Sequence, residues 1–258
     1  MYTSTMKRFS VGVAVIGLVV AAMMLRRPSP SLRGLWRATP PARQLSDEVR
    51  FYYFHDGDKG LYRYGKAGYN NTASFDWHLA GDELTLTFRK TGAVARTKVS
   101  VEDNEGKRVL VLRDDPRLGG TRRYAHEPSA LGDLGGPLSI ALHDDGLEDK
   151  LAGRLWYDET KYATGGMSFR MYQLSEHVLP AGRQLGWYHV GDFDDWSTET
   201  LDYRELPGGL ELHFGLRDER ANTQVTVEQA RDRRLLRLAS DPRDFGARAR
   251  FLDVGKSF

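Results

Sequence analysis

The chain contains no cysteine. That absence excludes disulfide frameworks, zinc–thiolate centres, cysteine nucleophiles and lipid attachment through an N-terminal cysteine. Histidine is sparse as well: the seven residues are scattered, and no two stand at the spacing of zinc ligands. There is no Gly-x-Ser-x-Gly nucleophile elbow and no glycine-rich phosphate loop. No charge of one sign dominates, since the formal net charge of the 258 residues is +2. What remains, 40% hydrophobic and 11% aromatic residues, is too apolar for a disordered chain and too polar for a multi-span membrane protein.

The small net charge conceals an asymmetry. Residues 1–50 hold eight Lys/Arg against Asp47 and Glu48, whereas the rest of the chain has 29 basic residues against 33 acidic ones. Counterion release requires clustered cations facing a polyanion, so a net-acidic body disfavours nucleic acid as a partner.

One long apolar run is present. Phe9 to Leu25 reads FSVGVAVIGLVVAAMML, flanked by Lys7-Arg8 and Arg26-Arg27-Pro28. Its length is at the short end for a spanning helix, and it is apolar on every face. Met23, Met24 and Leu25 follow the small Ala21-Ala22 pair and argue for an uncleaved membrane anchor, with a cleaved signal and a buried core helix as the alternatives weighed. Counting flanking cations puts the body in the cytoplasm; the very short basic stretch abutting the apolar run reads as an export signal, and an extracytoplasmic body is the expectation adopted. The organisation expected is an anchor over 1–27, a Pro-rich extended linker over 28–44, a first repeat over 45–125 with its opening strand from 33, a connector over 126–149 and a second repeat over 150–258.

The repeat is visible without a gap. Shifted by 126 residues, Gly60–Arg122 lies over Gly186–Arg248 with roughly a third of positions identical. TKVSVE (97–102) falls on TQVTVE (223–228), and Asp115-Pro116-Arg117 on Asp241-Pro242-Arg243. A shift of 120 carries the match back to Leu35-Trp36 over Leu155-Trp156, with a six-residue insertion near Ser175–Gly182. Each copy alternates apolar and polar residues, as in LTLTF (84–88) and LELHF (210–214), between turn signals such as HDGDKG (55–60) and LAGDEL (79–84). About eight strands per copy follow, starting near Trp36, Phe51, Leu61, Ser74, Glu83, Arg96, Lys107 and Thr121. The fold class expected is all-β: two tandem antiparallel meander β-barrels after an N-terminal transmembrane helix. A single sheet running through both copies would keep the duplication but not two separate barrels. Leu84, Leu86, Phe88, Leu110 and Leu112 should face inward, while Thr87/His213 and Val111/Arg237, which exchange polarity between copies, should face out.

Gly34-Leu35-Trp36 at the first strand, Arg122 near the last, and an eight-strand meander between them resemble the lipocalin or calycin pattern. The second copy offers Gly153-Arg154-Leu155-Trp156 and Arg248, with one extra residue between Gly and Trp. The resemblance spans residues 32–125 and 150–252. It implies that Trp36 and Trp156 pack under Arg122 and Arg248, and that each barrel has an apolar pocket.

The acidic clusters His55-Asp56-Gly57-Asp58, His143-Asp144-Asp145 and Asp192-Phe193-Asp194-Asp195 lack calcium-loop spacing and read as turns, so no metal or other cofactor is expected. Asp76/Asp202, identical in the two copies, read as exterior ion-pair residues with a repeated Arg such as Arg108/Arg234 as partner, a catalytic carboxylate being the alternative. Leu61 becomes Trp187 in the second copy and Asn70 becomes Trp196, so Trp187, Tyr188 and Trp196 at the second barrel's mouth are the candidate ligand-binding residues; packing of Trp187 inward and Trp196 over a turn is the alternative. The function expected is a membrane-tethered, non-enzymatic module binding an apolar or amphipathic small molecule in one or both barrels. The alternative is a structural or adaptor subunit with filled barrels that docks onto an envelope protein.

Overall fold

The computed structural model describes residues 31–38, 47–104, 106–127, 150–231 and 233–256. The apolar segment 9–25, most of the Pro-rich linker, nearly all of the connector and the cluster His143-Asp144-Asp145 lie outside these. Among the described residues no helix is long and apolar enough to cross a membrane.

Sixteen strands make up the described chain. The first copy contributes β1 (Gly34–Ala38), β2 (Glu48–Phe54), β3 (Lys59–Lys66), β4 (Tyr69–Ala80), β5 (Glu83–Phe88), β6 (Val94–Asn104), β7 (Lys107–Leu112) and β8 (Arg122–Glu127). The second contributes β9 (Arg154–Lys161), β10 (Met167–Val178), β11 (Gln184–Gly191), β12 (Asp195–Leu206), β13 (Gly209–Phe214), β14 (Glu219–Ala230), β15 (Arg233–Asp241) and β16 (Ala247–Lys256). Within each copy the pairings are antiparallel between chain neighbours, and β1 also pairs with β8 and β9 with β16. Each set of eight therefore closes into a barrel-like ring, which removes exposed sheet edges. Alternation places Leu84, Leu86 and Phe88, and likewise Leu210, Leu212 and Phe214, inside the rings.

The two rings are not separate. The first halves of β4 and β12 pair antiparallel, from Asp195↔Ala73 to Glu199↔Tyr69, and join all sixteen strands into one sheet. Sequence alternation starts the fourth strand near Ser74, five residues late, because Tyr69–Ala73 is mostly polar; it pairs with β3 on one side and with the other copy on the other. Ser74 N–H bonds Asp194 O at 2.9 Å, and its counterpart Thr200 N–H bonds Gly68 O at 3.0 Å. The contacts obey a local two-fold relation, so the seam has the isologous character of a symmetric dimer interface. Gly65 and Gly191, also counterparts, adopt φ of 138° and 153° where a Cβ would come within 2.7 Å of Asn70 Cα or 2.5 Å of Trp196 Cα. Only glycine permits so close an approach there.

Both interiors are filled. Trp36, Tyr52, Phe54, Tyr62, Phe75 and Tyr124 pack the first ring; Trp156, Tyr172, Tyr203, Phe214 and Phe251 pack the second. One end of each ring is closed by the chain entering it: Trp36 Nε1–H donates to Leu32 O at 2.5 Å, and Trp156 Nε1–H to Leu151 O at 3.2 Å. The cation over each Trp is Arg108 (5.2 Å) or Arg234 (5.7 Å), and these arginines also bond Ser31 O and Lys150 O. Arg122 and Arg248 are exposed instead. The reason is strand position: the penultimate strands β7 and β15 carry Arg108 and Arg234 to the end where the Trp sits, while Arg122 begins β8 opposite Leu112 at the other end. Val111 also departs from expectation, being buried on the outer face between Ser100 and Arg123 by register, where a long Arg stem covers apolar surface. Arg237, its counterpart, is exposed and paired with Glu228.

Candidate functional site: the seam between the rings

The opposite end of each ring is plugged by the repeated Asp-Pro-Arg turn. Asp115, 3% exposed, accepts Tyr124 OH at 2.5 Å, Tyr52 OH at 3.2 Å and the backbone N–H groups of Arg117 and Leu118 at 2.9 Å. Asp241 accepts Tyr172 OH at 2.7 Å and Arg243 N–H at 3.0 Å. The arginines then lie over matching rings, Arg117 4.2 Å from Phe88 and Arg243 3.6 Å from Phe214. Burial, followed by the neighbouring carboxylate, pushes Tyr52 and Tyr172 far above the ordinary phenol range. A repeated acid here holds a plug in place, which accounts for its presence in both copies without any chemistry.

The two notable clefts lie at the seam. The larger, about 610 Å³, is lined from the first copy by Tyr64, Asn71 and Lys90, and from the second by residues including Tyr162, Met167, Asp195 and Trp196. The smaller, about 440 Å³, is lined by Tyr69 of the first copy and by Tyr188, Glu199, Arg217, Arg243 and Phe245 of the second. Val190 and Ser197 contribute to both. Arg243 is held between Glu199 and Glu219 at 3.1 and 2.8 Å.

The structure therefore divides the three residues singled out from sequence. Trp196 lines the larger cleft and belongs to an aromatic group on the outer face of the second ring, with Phe169 6.3 Å away and Phe193 beyond it. Tyr188 points inward, 4.8 Å from Tyr172, and lines the smaller cleft. Trp187, half-buried, faces outward opposite Thr200 and Gln173 and lines neither. The six-residue insertion lengthens the β10–β11 hairpin, which is at the far end of β11 from the seam hairpin 192–194, so it does not border either cleft.

Asp192, Asp194 and Asp195 were not legible as site residues, since they read as turn chemistry, and Lys90 stood in no pattern that singled it out. Lys90 pairs with Asp192 across the copies, and Arg89 with Asp194 at 3.3 Å. Asp202 pairs with Arg183 and His213 rather than with an arginine of β15, and Asp76 is exposed with no ion pair among the described residues. Asp56 is paired with Arg33 at 2.9 Å. Among the described residues no group of three or more His, Asp or Glu side chains is placed to hold a metal ion.

Behind the seam, on the outer face, Arg63 Nε–H donates to Thr72 Oγ1 at 2.9 Å, and its counterpart His189 meets Thr198 Oγ1 through Nδ1 at 2.9 Å. Burial and the charge of Arg63 push His189 down to about 3, so it is a neutral structural imidazole at physiological pH. No protein-family model matches the chain, and no curated protein matches it in sequence.

Proposed function

We propose that this chain is a non-enzymatic binding module, tethered at a membrane by its apolar N-terminal segment, that takes an apolar or amphipathic small molecule at the seam between its two lipocalin-like barrels. One observation carries this reading: a cleft of about 610 Å³, within the size range of small-molecule sites, is built from both copies and contains Trp196. Interiors occupied by large aromatic side chains favour the seam over the barrel cavities as the place of binding. An environment-sensitive apolar dye tests it on the full-length protein. Trp196→Ala should weaken dye binding about tenfold with the melting temperature little changed, while Trp187→Ala and Leu61→Ala leave affinity intact. Equal losses from all three variants, or no dye uptake at all, count against the seam.

A second reading, an adaptor docking onto a membrane or envelope protein, draws on a different observation. Loops that follow odd-numbered strands share one end of an up-and-down ring. In the second ring each of these four loops exposes one large apolar residue: Tyr162, Phe193, Leu216 and Phe245. Because the chain has no native cysteine, a photo-crosslinker on Phe245→Cys reports on this end alone. Capture of one protein in native membranes supports docking; labelling of lipid or nothing does not.

A further inference from the structure

The hairpins on the two sides of the Asn71–Ser197 pair are related by the local two-fold, yet their chemistry differs. Where the first copy places Lys66, Tyr69 and Asn70, the second places Asp192, Asp195 and Trp196. The exchange replaces a cation with a carboxylate, adds a second carboxylate and supplies the largest aromatic side chain, while the strand pairing of the two hairpins is kept. A repeat conserved in backbone and altered in one cluster of side chains has been altered at its surface chemistry, and the altered residues line the larger cleft.

Within that cleft the charges are unequally satisfied. Asp192 is paired with Lys90 and its Oδ1 accepts the N–H groups of Asp194 and Asp195 at 2.9 and 2.8 Å. Asp195 has no ion-pair partner among the described residues. Arg117, the other cation whose field reaches it, is drawn over the Phe88 ring at 4.2 Å. Asp195 is exposed to solvent, yet partial desolvation, followed by the charge of Asp192, holds its carboxyl above the ordinary range, which marks a carboxylate short of positive charge. Around it stand Trp196, Tyr162 and Tyr64, whose ring faces attract cations, and Met167, a flexible apolar surface. One Lys against two Asp leaves the lining net negative, so an anion is repelled and a neutral ligand gains nothing from the charge.

We propose that this cleft selects a cationic amphiphile, its alkylammonium or guanidinium head at Asp195 and its apolar portion against Trp196, Tyr162 and Met167. The inference rests on the seam-binding reading above and specifies the ligand class. Titration calorimetry on the full-length protein with benzyltrimethylammonium, benzyl alcohol and benzenesulfonate tests it. The cation should bind about tenfold more tightly than the alcohol, and the sulfonate most weakly. Asp195→Asn should bring the cation down to the level of the alcohol without shifting the melting temperature, and Asp195→Glu should keep part of the preference. Equal affinity for cation and alcohol, both weakened by Trp196→Ala, overturns the charge selection and leaves seam binding standing. A cation preference that survives in Asp195→Asn also overturns the proposal. No binding of any of the three, with no dye uptake, overturns both.

Discussion

Asn71 and Ser197 stand in the same position of the two copies and pair with each other at the centre of the seam, where Ser197 Oγ–H donates to Asn71 Oδ1 at 2.7 Å. A position that meets its own counterpart lies on the axis of an isologous contact. Behind the sheet each copy adds its own bond, Arg63–Thr72 in the first and His189–Thr198 in the second. Substituting Thr72 by Val removes the hydroxyl that accepts from Arg63 Nε, leaving a charged donor short of that partner. Thr198→Val leaves a neutral imidazole that still has Gln173 Oε1 at 3.3 Å. Guanidinium titration should show Thr72→Val costing about 1–3 kcal/mol and Thr198→Val less. Equal costs would mean that the guanidinium finds another acceptor.

The Asp-Pro-Arg plugs predict a large loss on removal of the acid. Asp115→Ala strands two phenol hydroxyls and two backbone N–H groups at the end of the first ring, and destabilisation of at least about 3 kcal/mol is expected. Denaturant midpoints at constant slope measure it; a loss below about 1 kcal/mol would show the turn to be an ornament of the rim rather than its closure.

Alkaline pH should unfold the protein early. Burial first, and then Asp115 or Asp241, raises Tyr52, Tyr124 and Tyr172, and burial also raises Tyr188 and Tyr203. A phenol whose folded value lies above its unfolded value of about 10 contributes stability that is fully present below pH 10 and lost as pH rises, because the unfolded chain then releases protons that the folded chain retains. Each such Tyr adds about 1.4 kcal/mol per pH unit to the downward slope above pH 10. Tyr124→Phe should reduce that slope by one such increment in unfolding curves taken between pH 9 and 11.5.

Arg108 and Arg122 separate the observed Trp contact from the one implied by resemblance. Arg108→Ala removes the guanidinium over Trp36 and the bond to Ser31 O, and should cost about 1–2 kcal/mol. Arg122→Ala, at an exposed strand end, should fall within about 0.5 kcal/mol of the parent. Thermal melts of the two variants decide between them.

Phe245 is fully exposed at φ 51°, where its counterpart Gly119 has φ 66°. A left-handed conformation costs a residue with a Cβ about 1–2 kcal/mol relative to glycine, offset in part by glycine's freer unfolded chain. Phe245→Gly should therefore melt at the same temperature or higher while losing whatever partner capture the Phe245 end supports. A clear drop in melting temperature would show that Phe245 has a structural role.

The duplication, the strand count and the inward positions Leu84, Leu86 and Phe88 were determined by the sequence, because alternation of period two and repetition at a fixed shift are local properties of the chain; the burial of Trp36 and Trp156 was implied only by resemblance. Trp196 and Tyr188 were legible as candidates because comparison of the copies showed where aromatic area had been gained or kept. The seam was not. Tyr69–Ala73 carries Asn70, Asn71 and Thr72, residues with no apolar alternation, and its pairing with β12 on the side away from β3 joins segments more than a hundred residues apart. Nor could the chain by itself say which arginine reaches each Trp, that Asp115 and Asp241 are buried under tyrosine hydroxyls, or that Lys90 meets Asp192 more than a hundred residues away. The first two depend on which strands meet across one closed ring, and the last on how the two rings are set against each other. That arrangement is fixed by the backbone pairing of β4 with β12, which joins segments of different copies and leaves no pattern in the sequence of one copy alone.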